Sequence, residues 1–213
     1  MKHDKMQATQ IEEPHELEGL TAEALACRAQ QGSKASFAEL ANRFGPRLYN
    51  YFQMKVNNRD DCEDLVQETL VKAYLNIHRY QETRPFTTWL FTIGIRLAVD
   101  YFRASNRRSM VRIPDDVPGG RNPYDSAVRR DEKRTLWAQA RTLPKNQHDA
   151  LWLRYVENMP VKEIARVLGM SRIHVKVSLY RARVKLADLQ KGAKTSVRAG
   201  SGDEEVLKEM LSC

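Results

Sequence analysis

The sequence predicts an all-α fold of two helical domains joined by a flexible linker, with a helix-turn-helix in the C-terminal domain. Apolar residues recur at the three- and four-residue spacing of amphipathic helices through most of the chain, and no stretch shows the alternation of a strand. One segment without this periodicity is typical of a linker, because it contains Pro114, Pro118, Gly119, Gly120 and Pro123. The predicted boundaries are an N-terminal arm at 1–19, a first domain at 20–106, the linker at 107–128, a second domain at 129–190 and a C-terminal extension at 191–213.

The helices of the first domain follow from the breaks between periodic segments. The polar and acidic arm is expected to be disordered, and helical periodicity then runs from about 20 to 56. We expect interruptions at 31–33 and at Gly45-Pro46, because glycine and proline disfavour a helix interior. Two further helices are expected at about 61–78 and 87–105, and the C-terminal extension is expected to be disordered.

Composition limits the class of protein. The 213 residues include 35 Lys and Arg against 27 Asp and Glu, and the net charge of +8 suits a nucleic-acid partner without identifying one. The three cysteines are widely spaced, so neither a zinc site nor a disulfide framework is indicated. The polar and acidic start is unlike a signal peptide, and no apolar run is long enough for a membrane span, so we expect a cytoplasmic protein with no signal peptide and no membrane insertion.

The segment 143–189 carries the spacing of a helix-turn-helix. Ala165 is followed four residues later by Gly169, and six residues further on by Val175. This spacing supplies a small residue where two helices cross, a glycine that can adopt positive φ in the turn, and an apolar anchor in the recognition helix. Ser171 stands where the third helix begins and can act as its N-cap.

The third helix has two different faces. Helical spacing places an apolar stripe inward, formed by Val175, Leu179, Ala182 and Leu186. The opposite side carries Ile173, Lys176, Val177, Tyr180, Arg181 and Val184. Cations there can neutralise phosphates, and exposed apolar side chains can meet thymine methyls in a major groove. A basic surface helix without a ligand is the alternative, but the helix-turn-helix spacing and the cap favour DNA contact.

The acidic helix near 61–78 permits three interpretations. Its outward residues are Asp61, Asp64, Gln67, Glu68 and Lys72. Acidic residues near a helix start are favourable with the helix dipole, which is a purely structural role. A dense acidic face can also dock a positively charged partner, and carboxylates one turn apart can share a divalent ion. Spacing alone does not choose among the three.

The following helix interleaves aromatic residues with arginines. These residues are Trp89, Phe91, Tyr101 and Phe102 beside Arg96, Arg103, Arg107 and Arg108. Such a surface suits unstacked bases, since every base offers a π-face and every phosphate attracts a cation. The alternative is that the aromatic rings simply pack in the core with Leu90, Ile93 and Leu97.

Taken together, these motifs resemble bacterial sigma factors of the extracytoplasmic-function (ECF) group over roughly residues 20–190. The motifs similar to sigma region 2 are FAEL at 37–40, GPRLY at 45–49, EDLVQET at 63–69, KAY at 72–74 and FTTWL at 86–90. The motifs similar to region 4 are LP at 143–144, EIA at 163–165, LG at 168–169 and YRAR at 180–183. The order of these motifs, with a linker between the two sets, is highly specific.

The resemblance implies a factor that binds core RNA polymerase, directs it to promoter DNA and helps to open the duplex, without being an enzyme and without a cofactor or metal. Docking on the clamp helices of the β′ subunit is implied for Asp64, Gln67 and Glu68, with the β subunit as a further contact. Contacts to the −10 element are implied for Tyr80, Gln81, Glu82, Thr83, Arg84, Thr88, Trp89 and Arg96. Contacts to the −35 element are implied for Ser171, Arg172, His174, Lys176, Val177, Tyr180 and Arg181. An anti-sigma factor is implied as a further partner.

The chain departs from residues that are frequent in that family. Thr92 stands where many relatives carry an arginine, and Arg96 where an asparagine is frequent. In the third helix, Val177 is apolar and Ser178 occupies a commonly basic position. We therefore expect a −35 preference shifted toward methyl contacts.

Two other functions remain open from the residues. A helix-turn-helix regulator that acts without core polymerase would leave the acidic helix and the aromatic residues at 86–90 without a role. An all-α metal-dependent nucleotide hydrolase would use Glu63, Asp64 and Glu68, but the facing segment 37–51 adds only Glu39.

Overall fold

The computed structural model describes residues 17–56, 58–109 and 136–196, and within these ranges the chain is helical without strands, which confirms the all-α prediction. The first domain consists of α1 (Ala22–Gln30), α2 (Lys34–Gln53), α3 (Arg59–Leu75), a 3-10 turn (Ile77–Arg79) and α4 (Phe86–Ser109). The second domain contains a short helical segment at 136–140, then α5 (Lys145–Tyr155), α6 (Val161–Leu168) and α7 (Arg172–Ser196).

Side-chain caps determine where the first three helices begin. The Thr21 hydroxyl accepts a hydrogen bond from the backbone N–H of Ala24 at 3.2 Å. Ser33 does the same for Ser36 at 3.1 Å. Asn58 starts α3 with its side-chain oxygen. Each cap satisfies a backbone N–H that has no partner within the helix.

The expected interruption at Gly45-Pro46 is wrong, because α2 continues through both residues. Pro46 is exposed, and its ring contacts solvent. Proline has no N–H to donate, so the carbonyl four residues earlier loses its helical hydrogen bond and can accept one from water instead. Phe44 and Leu48, on either side, are both buried. Their packing outweighs the unfavourable local propensity. The ends of two other helices also differ from expectation, since α4 reaches Ser109 and α7 reaches Ser196.

Folded structure begins inside the predicted N-terminal arm. Leu17 is buried, and the Arg43 guanidinium donates hydrogen bonds to the backbone carbonyls of Leu17, Glu18 and Leu20 at 2.7, 2.8 and 2.6 Å. Residues 17–19 therefore belong to the first domain. The expectations for 1–16, for the linker from 110 onward and for the extension beyond 196 lie outside the described residues.

Gly94 allows α4 to approach α2 and α3 closely. A Cβ atom at this position would lie 3.3 Å from Phe52 Cζ and 3.4 Å from both Leu48 Cδ2 and Thr69 Cγ2. Each of these side chains belongs to the core of the first domain. This close approach lets the buried side chains of α4 pack against those of α2 and α3.

We expect Gly94→Val to lower the free energy of unfolding by about 1–3 kcal/mol, because a larger side chain overpacks this contact. Urea denaturation of the full chain measures the effect. Gly45→Val is the matched control, since a Cβ atom at Gly45 meets no heavy atom within 4 Å. Equal losses in the two variants would contradict the close-packing explanation.

The two domains pack against each other. Helix α4 of the first domain lies against α6 of the second. The Tyr51 hydroxyl donates to Asp149 Oδ1 at 3.1 Å, and the Lys55 ammonium forms an ion pair with the same carboxylate. Arg47 Nε donates to Glu157 Oε2 at 3.0 Å. The two predicted helical domains are present, and the contact between them was not predicted from the sequence.

Candidate nucleic-acid interface and docking face

The turn between α6 and α7 has the backbone geometry that the sequence predicts. Gly169 has φ +64°, in the left-handed region that favours glycine. The Met170 N–H donates to the Ala165 carbonyl at 2.9 Å, and the Gly169 N–H donates to the Arg166 carbonyl at 3.3 Å. This pair of bonds is the Schellman motif, which satisfies carbonyls at a helix end.

The start and the inner face of α7 also agree with the sequence. The His174 N–H donates to Ser171 Oγ at 3.2 Å, so Ser171 is the N-cap. The predicted inward stripe is buried: Val175, Leu179, Ala182 and Leu186. Ala165 is buried where α6 meets its neighbours. These local features confirm the helix-turn-helix.

The outer face of α7 presents every residue implied to contact the −35 element. All seven are exposed: Ser171, Arg172, His174, Lys176, Val177, Tyr180 and Arg181. Tyr180 is 63 % exposed, and the neighbouring Ile173 is 73 % exposed. Exposed apolar side chains on a basic helix can meet thymine methyls in a major groove. Ile173 was assigned to the outer face but not to the contact set.

A cavity of about 270 Å³ lies where the loop after the 3-10 turn meets the first turn of α4. Its lining residues are Arg79, Tyr80, Gln81, Arg84 and Trp89. The Tyr80 ring packs edge-on against Phe86 and Trp89, with centroid separations of 5.5 and 5.6 Å. The cavity therefore combines an aromatic wall with guanidinium groups. The resemblance implied base capture by the loop 78–84, which contains Arg79, but Arg79 was not among the individual residues assigned to the −10 element.

Hydrogen bonds from α1 hold this loop in place. The Gln30 side-chain amide donates to the carbonyls of Ile77 and Tyr80 at 2.9 and 2.8 Å. The Tyr80 hydroxyl donates to the Arg84 carbonyl at 2.8 Å, which closes the loop. Burial, reinforced by the Glu23 carboxylate, raises the pKa of Tyr80 well above its usual value. Tyr80 therefore keeps its proton and its role as a donor.

The residues implied to contact the −10 element are divided between surface and interior. Gln81, Glu82, Thr83, Arg84 and Arg96 are exposed, and Trp89 is partly buried. Tyr80 is buried and forms a wall of the cavity. Thr88 is 3 % exposed, and its buried hydroxyl has no hydrogen-bond partner in this arrangement. Arg96 lies seven residues after Trp89, so the two share a helix face about 10 Å apart.

The acidic face of α3 is open to solvent. Asp64, Gln67 and Glu68 are all exposed, and Glu68 pairs with Lys72 at 2.8 Å. Asp61 has a structural role instead, because it accepts a 2.7 Å hydrogen bond from the Tyr101 hydroxyl of α4.

Apolar residues extend the same face toward the end of α3. Val71 is 48 % exposed and Leu75 is 65 % exposed, at helical spacing from Asp64 and Glu68. Helical periodicity predicts Tyr74 on the inward side of this helix, but its side chain is 43 % exposed. The surface thus combines carboxylates with exposed apolar side chains. Val71 and Leu75 were not among the residues predicted for docking.

The described residues also bear on a metal-dependent function and on membrane insertion. In the described part of the chain, no three His, Cys, Asp or Glu residues lie close enough together to hold a metal ion. Among the described helices, none has the length and apolar character needed to cross a membrane.

Two family models match the chain. The model of sigma-70 region 2 matches residues 40–108, and the model of sigma-70 region 4 matches residues 133–186. The first match covers the α2–α4 bundle, and the second covers the helix-turn-helix.

Curated relatives are similar over most of the chain. The ECF RNA polymerase sigma factor SigM of Bacillus subtilis is 31 % identical over 145 residues, which are 67 % of this chain and 87 % of SigM. The ECF RNA polymerase sigma factor BldN of Streptomyces coelicolor is 31 % identical over 166 residues. That match covers 76 % of this chain but only 63 % of BldN.

Two solved structures are similar in fold. CnrH, in complex with the cytosolic domain of CnrY, has a TM-score of 0.61 and 26 % identity, covering 80 % of this chain and 97 % of CnrH. RpoE of Bartonella quintana, in complex with the anti-sigma factor NepR, also has a TM-score of 0.61, with 25 % identity. That match covers 73 % of this chain and 96 % of RpoE.

Proposed function

The chain belongs to the ECF RNA polymerase sigma factors, and on that basis we propose which of its surfaces binds each partner during transcription initiation. The face of α3 binds core polymerase, the cavity beside α4 receives an unstacked base of the −10 element, and α7 reads the −35 element. The observation that carries the proposal is that one chain exposes all three surfaces. The protein acts in the cytoplasm beside the polymerase and has no catalytic role of its own.

The chemistry of the α3 face suits docking on a protein. Asp64, Gln67 and Glu68 supply charge and hydrogen-bond acceptors, and Val71 and Leu75 supply apolar area. Interfaces of moderate strength combine an apolar centre with a polar rim in this way. We place the β′ clamp helices of core polymerase on this face, with the β subunit as a second contact.

The cavity near α4 suits a single base removed from the duplex. Its aromatic wall, Tyr80 and Trp89, offers stacking surface, and Gln81 offers both a donor and an acceptor for a base edge. Arg79 and Arg84 line the same cavity, and their guanidinium groups would attract the phosphates of a displaced strand. Extruding a base costs a few kcal/mol, which such stacking and hydrogen bonding offset.

The outer face of α7 suits duplex DNA. Its basic residues contact phosphates and base edges, and Ile173, Val177 and Tyr180 bring apolar atoms to the groove. An anti-sigma factor is a further proposed partner, since the solved relative RpoE of Bartonella quintana is bound to one.

Transcription in vitro is the direct test of this proposal. Core polymerase plus the full chain, on a genomic DNA library, is expected to start transcripts at discrete sites that share a −10 and a −35 element. Core polymerase alone supplies the background. Discrete binding to duplex DNA without any specific transcript would favour a helix-turn-helix regulator that acts without polymerase.

We expect Val177→Ser to weaken a thymine preference within the −35 element by about fourfold, because it replaces an apolar contact worth ~0.8 kcal/mol per methylene. Selection of promoter variants from a randomised −35 pool measures the preference. Val184→Ser is the matched control, since Val184 is also exposed but lies two turns further from the helix start, where groove contacts are concentrated. An unchanged preference in Val177→Ser would contradict the methyl-contact hypothesis.

A further inference from the structure

We infer that α1 positions the loop that captures the −10 base, and that it does so through the side chains of Glu23 and Gln30. Both side chains hydrogen-bond the segment 77–86, which carries the cavity beside α4. Neither residue lines the cavity, so each acts through the loop and not through contact with DNA. The role in base capture rests on the proposed function, whereas the attachment of the loop to α1 does not.

One side of α1 carries the residues that meet this loop. Glu23, Cys27 and Gln30 are four and three residues apart, which places them together on one side of the helix. The residues that α1 buries in the core of the first domain lie on a different side: Leu25, Ala26 and Ala29. Packing of the buried side therefore holds α1 in place while its polar side contacts the loop.

Glu23 caps α4 from outside that helix. Its Oε1 accepts a hydrogen bond from the backbone N–H of Phe86, the first residue of α4, at 3.0 Å. Pro85, which precedes the helix, has no side-chain oxygen that could accept such a bond, so the acceptor comes from α1. A carboxylate at this end is also favourable with the helix dipole. The bond fixes the point where the loop ends and the helix that carries Trp89 begins.

Gln30 holds the start of the same loop. Its side-chain amide donates to the carbonyls of Ile77 and Tyr80 at 2.9 and 2.8 Å, on either side of the 3-10 turn. Tyr80 forms part of the aromatic wall of the cavity, so these bonds determine where that wall stands. Gln30 itself is exposed, and its replacement leaves no void in the core.

Cys27 lies between the two anchors and is close to Glu82 in the middle of the loop. Burial and the Glu82 carboxylate raise the pKa of the Cys27 thiol, so the thiol stays protonated and can donate to that carboxylate. Glu82 does not line the cavity, although the resemblance implied a −10 contact for it. Its place beside Cys27 indicates a third attachment of the loop to α1.

Attachment at both ends forms the cavity before DNA arrives. A loop that becomes ordered only on binding lowers affinity, because each side chain that it immobilises costs free energy. With the loop fixed, the Tyr80 and Trp89 rings stay 5.6 Å apart, and the cavity keeps one shape. A loosely held loop adapts to several bases, and discrimination among them falls. We therefore expect α1 to affect the choice of base more than the affinity for polymerase.

The test compares Gln30→Ala with Gln31→Ala in the full chain bound to core polymerase. Gln31 is the matched control, because it is also an exposed glutamine of this segment but its side chain makes no hydrogen bond to residues 77–86. Permanganate reactivity of unpaired thymines measures opening of a promoter found by transcript sequencing, with each of the four bases at the captured position. Gln30→Ala is expected to open the preferred promoter about 5- to 30-fold more slowly, as loss of two hydrogen bonds does. The three substituted promoters are expected to open at nearly the wild-type rate, so discrimination falls by the same factor.

Conservative variants separate hydrogen bonding from side-chain size. Gln30→Glu keeps the size but cannot donate at neutral pH, so it is expected to lose as much discrimination as Gln30→Ala. Glu23→Gln keeps an acceptor oxygen for the Phe86 N–H and is expected to retain most of the discrimination, whereas Glu23→Ala is expected to lose it. A smaller fraction of folded protein slows all four promoters equally. Unchanged discrimination in the Gln30 variants would therefore overturn the positioning role.

Hydrogen–deuterium exchange without DNA tests the attachment by itself. The segment 77–86 is expected to exchange severalfold faster in Gln30→Ala and Glu23→Ala than in wild type, with Gln31→Ala matching wild type. Equal exchange in all four proteins would overturn the attachment, and faster exchange with unchanged discrimination would overturn its role in base capture. A wild-type protein that shows no base preference at any −10 position would count against the proposed function, and exchange would still decide whether α1 orders the loop.

Discussion

The double substitution Asp64→Lys/Glu68→Lys is expected to weaken binding to core RNA polymerase about 30- to 700-fold, or 2–4 kcal/mol, as loss of an interface hot spot does. Both side chains are exposed on one face of α3, so the change reverses charge at the proposed docking face without disturbing the core. Lysine is also a good helix former, which keeps α3 intact. Fluorescence anisotropy with labelled protein and core polymerase measures the affinity.

The control for this prediction is Asp100→Lys in α4. Asp100 is also an exposed carboxylate, with 71 % of its side chain accessible, but it lies outside the α3 face. Equal weakening by the control would mean that net charge determines the affinity. Normal binding by the double variant would remove α3 from the docking interface.

Trp89→Ala is expected to slow promoter opening about 5- to 150-fold, because base–aromatic stacking contributes about 1–3 kcal/mol per base. Trp89 lines the cavity beside Tyr80, and its ring is 5.6 Å from that of Phe86. Trp89→Phe retains a ring and is expected to keep most of the rate. Permanganate reactivity of unpaired thymines in the −10 element measures opening as a function of time.

A matched variant on α7 separates opening from duplex recognition. Tyr180→Ala is expected to weaken binding to the −35 duplex without changing the rate of opening once the promoter is saturated. Thermal unfolding of Trp89→Ala shows how much of its effect reflects lost packing with Tyr80 and Phe86. Opening at the wild-type rate in Trp89→Ala would remove the aromatic wall from the −10 proposal.

Local signals explain why the helix-turn-helix could be predicted from sequence. The positive φ of Gly169 and the Ser171 cap depend on residues within one turn of chain, and both are present. The inward stripe of α7 follows from helical periodicity alone. The continuation of α2 through Pro46 could not be predicted in this way, because packing of distant residues against α2 outweighs local propensity.

The candidate site was predictable in composition but not in arrangement. The sequence identifies Tyr80 and Trp89 but not the cavity between them, which depends on Gln30 bonding the loop from another helix. The contact between the two domains was not predictable, because the residues that form it are far apart in the chain. Tyr51 and Asp149 are 98 residues apart, and Arg47 and Glu157 are 110 residues apart. The periodic pattern of a single helix predicts which side is buried, but it does not predict which distant residue a side chain will contact.

The two packed domains belong to one chain, so the contact between them does not depend on how much protein is present. A tether of this kind gives each domain an effective concentration of its partner in the millimolar range. The same domain on a second molecule, at micromolar concentration, competes about a thousandfold less well. The contact therefore forms within each copy, and dilution or overexpression leaves the fraction of molecules with packed domains unchanged.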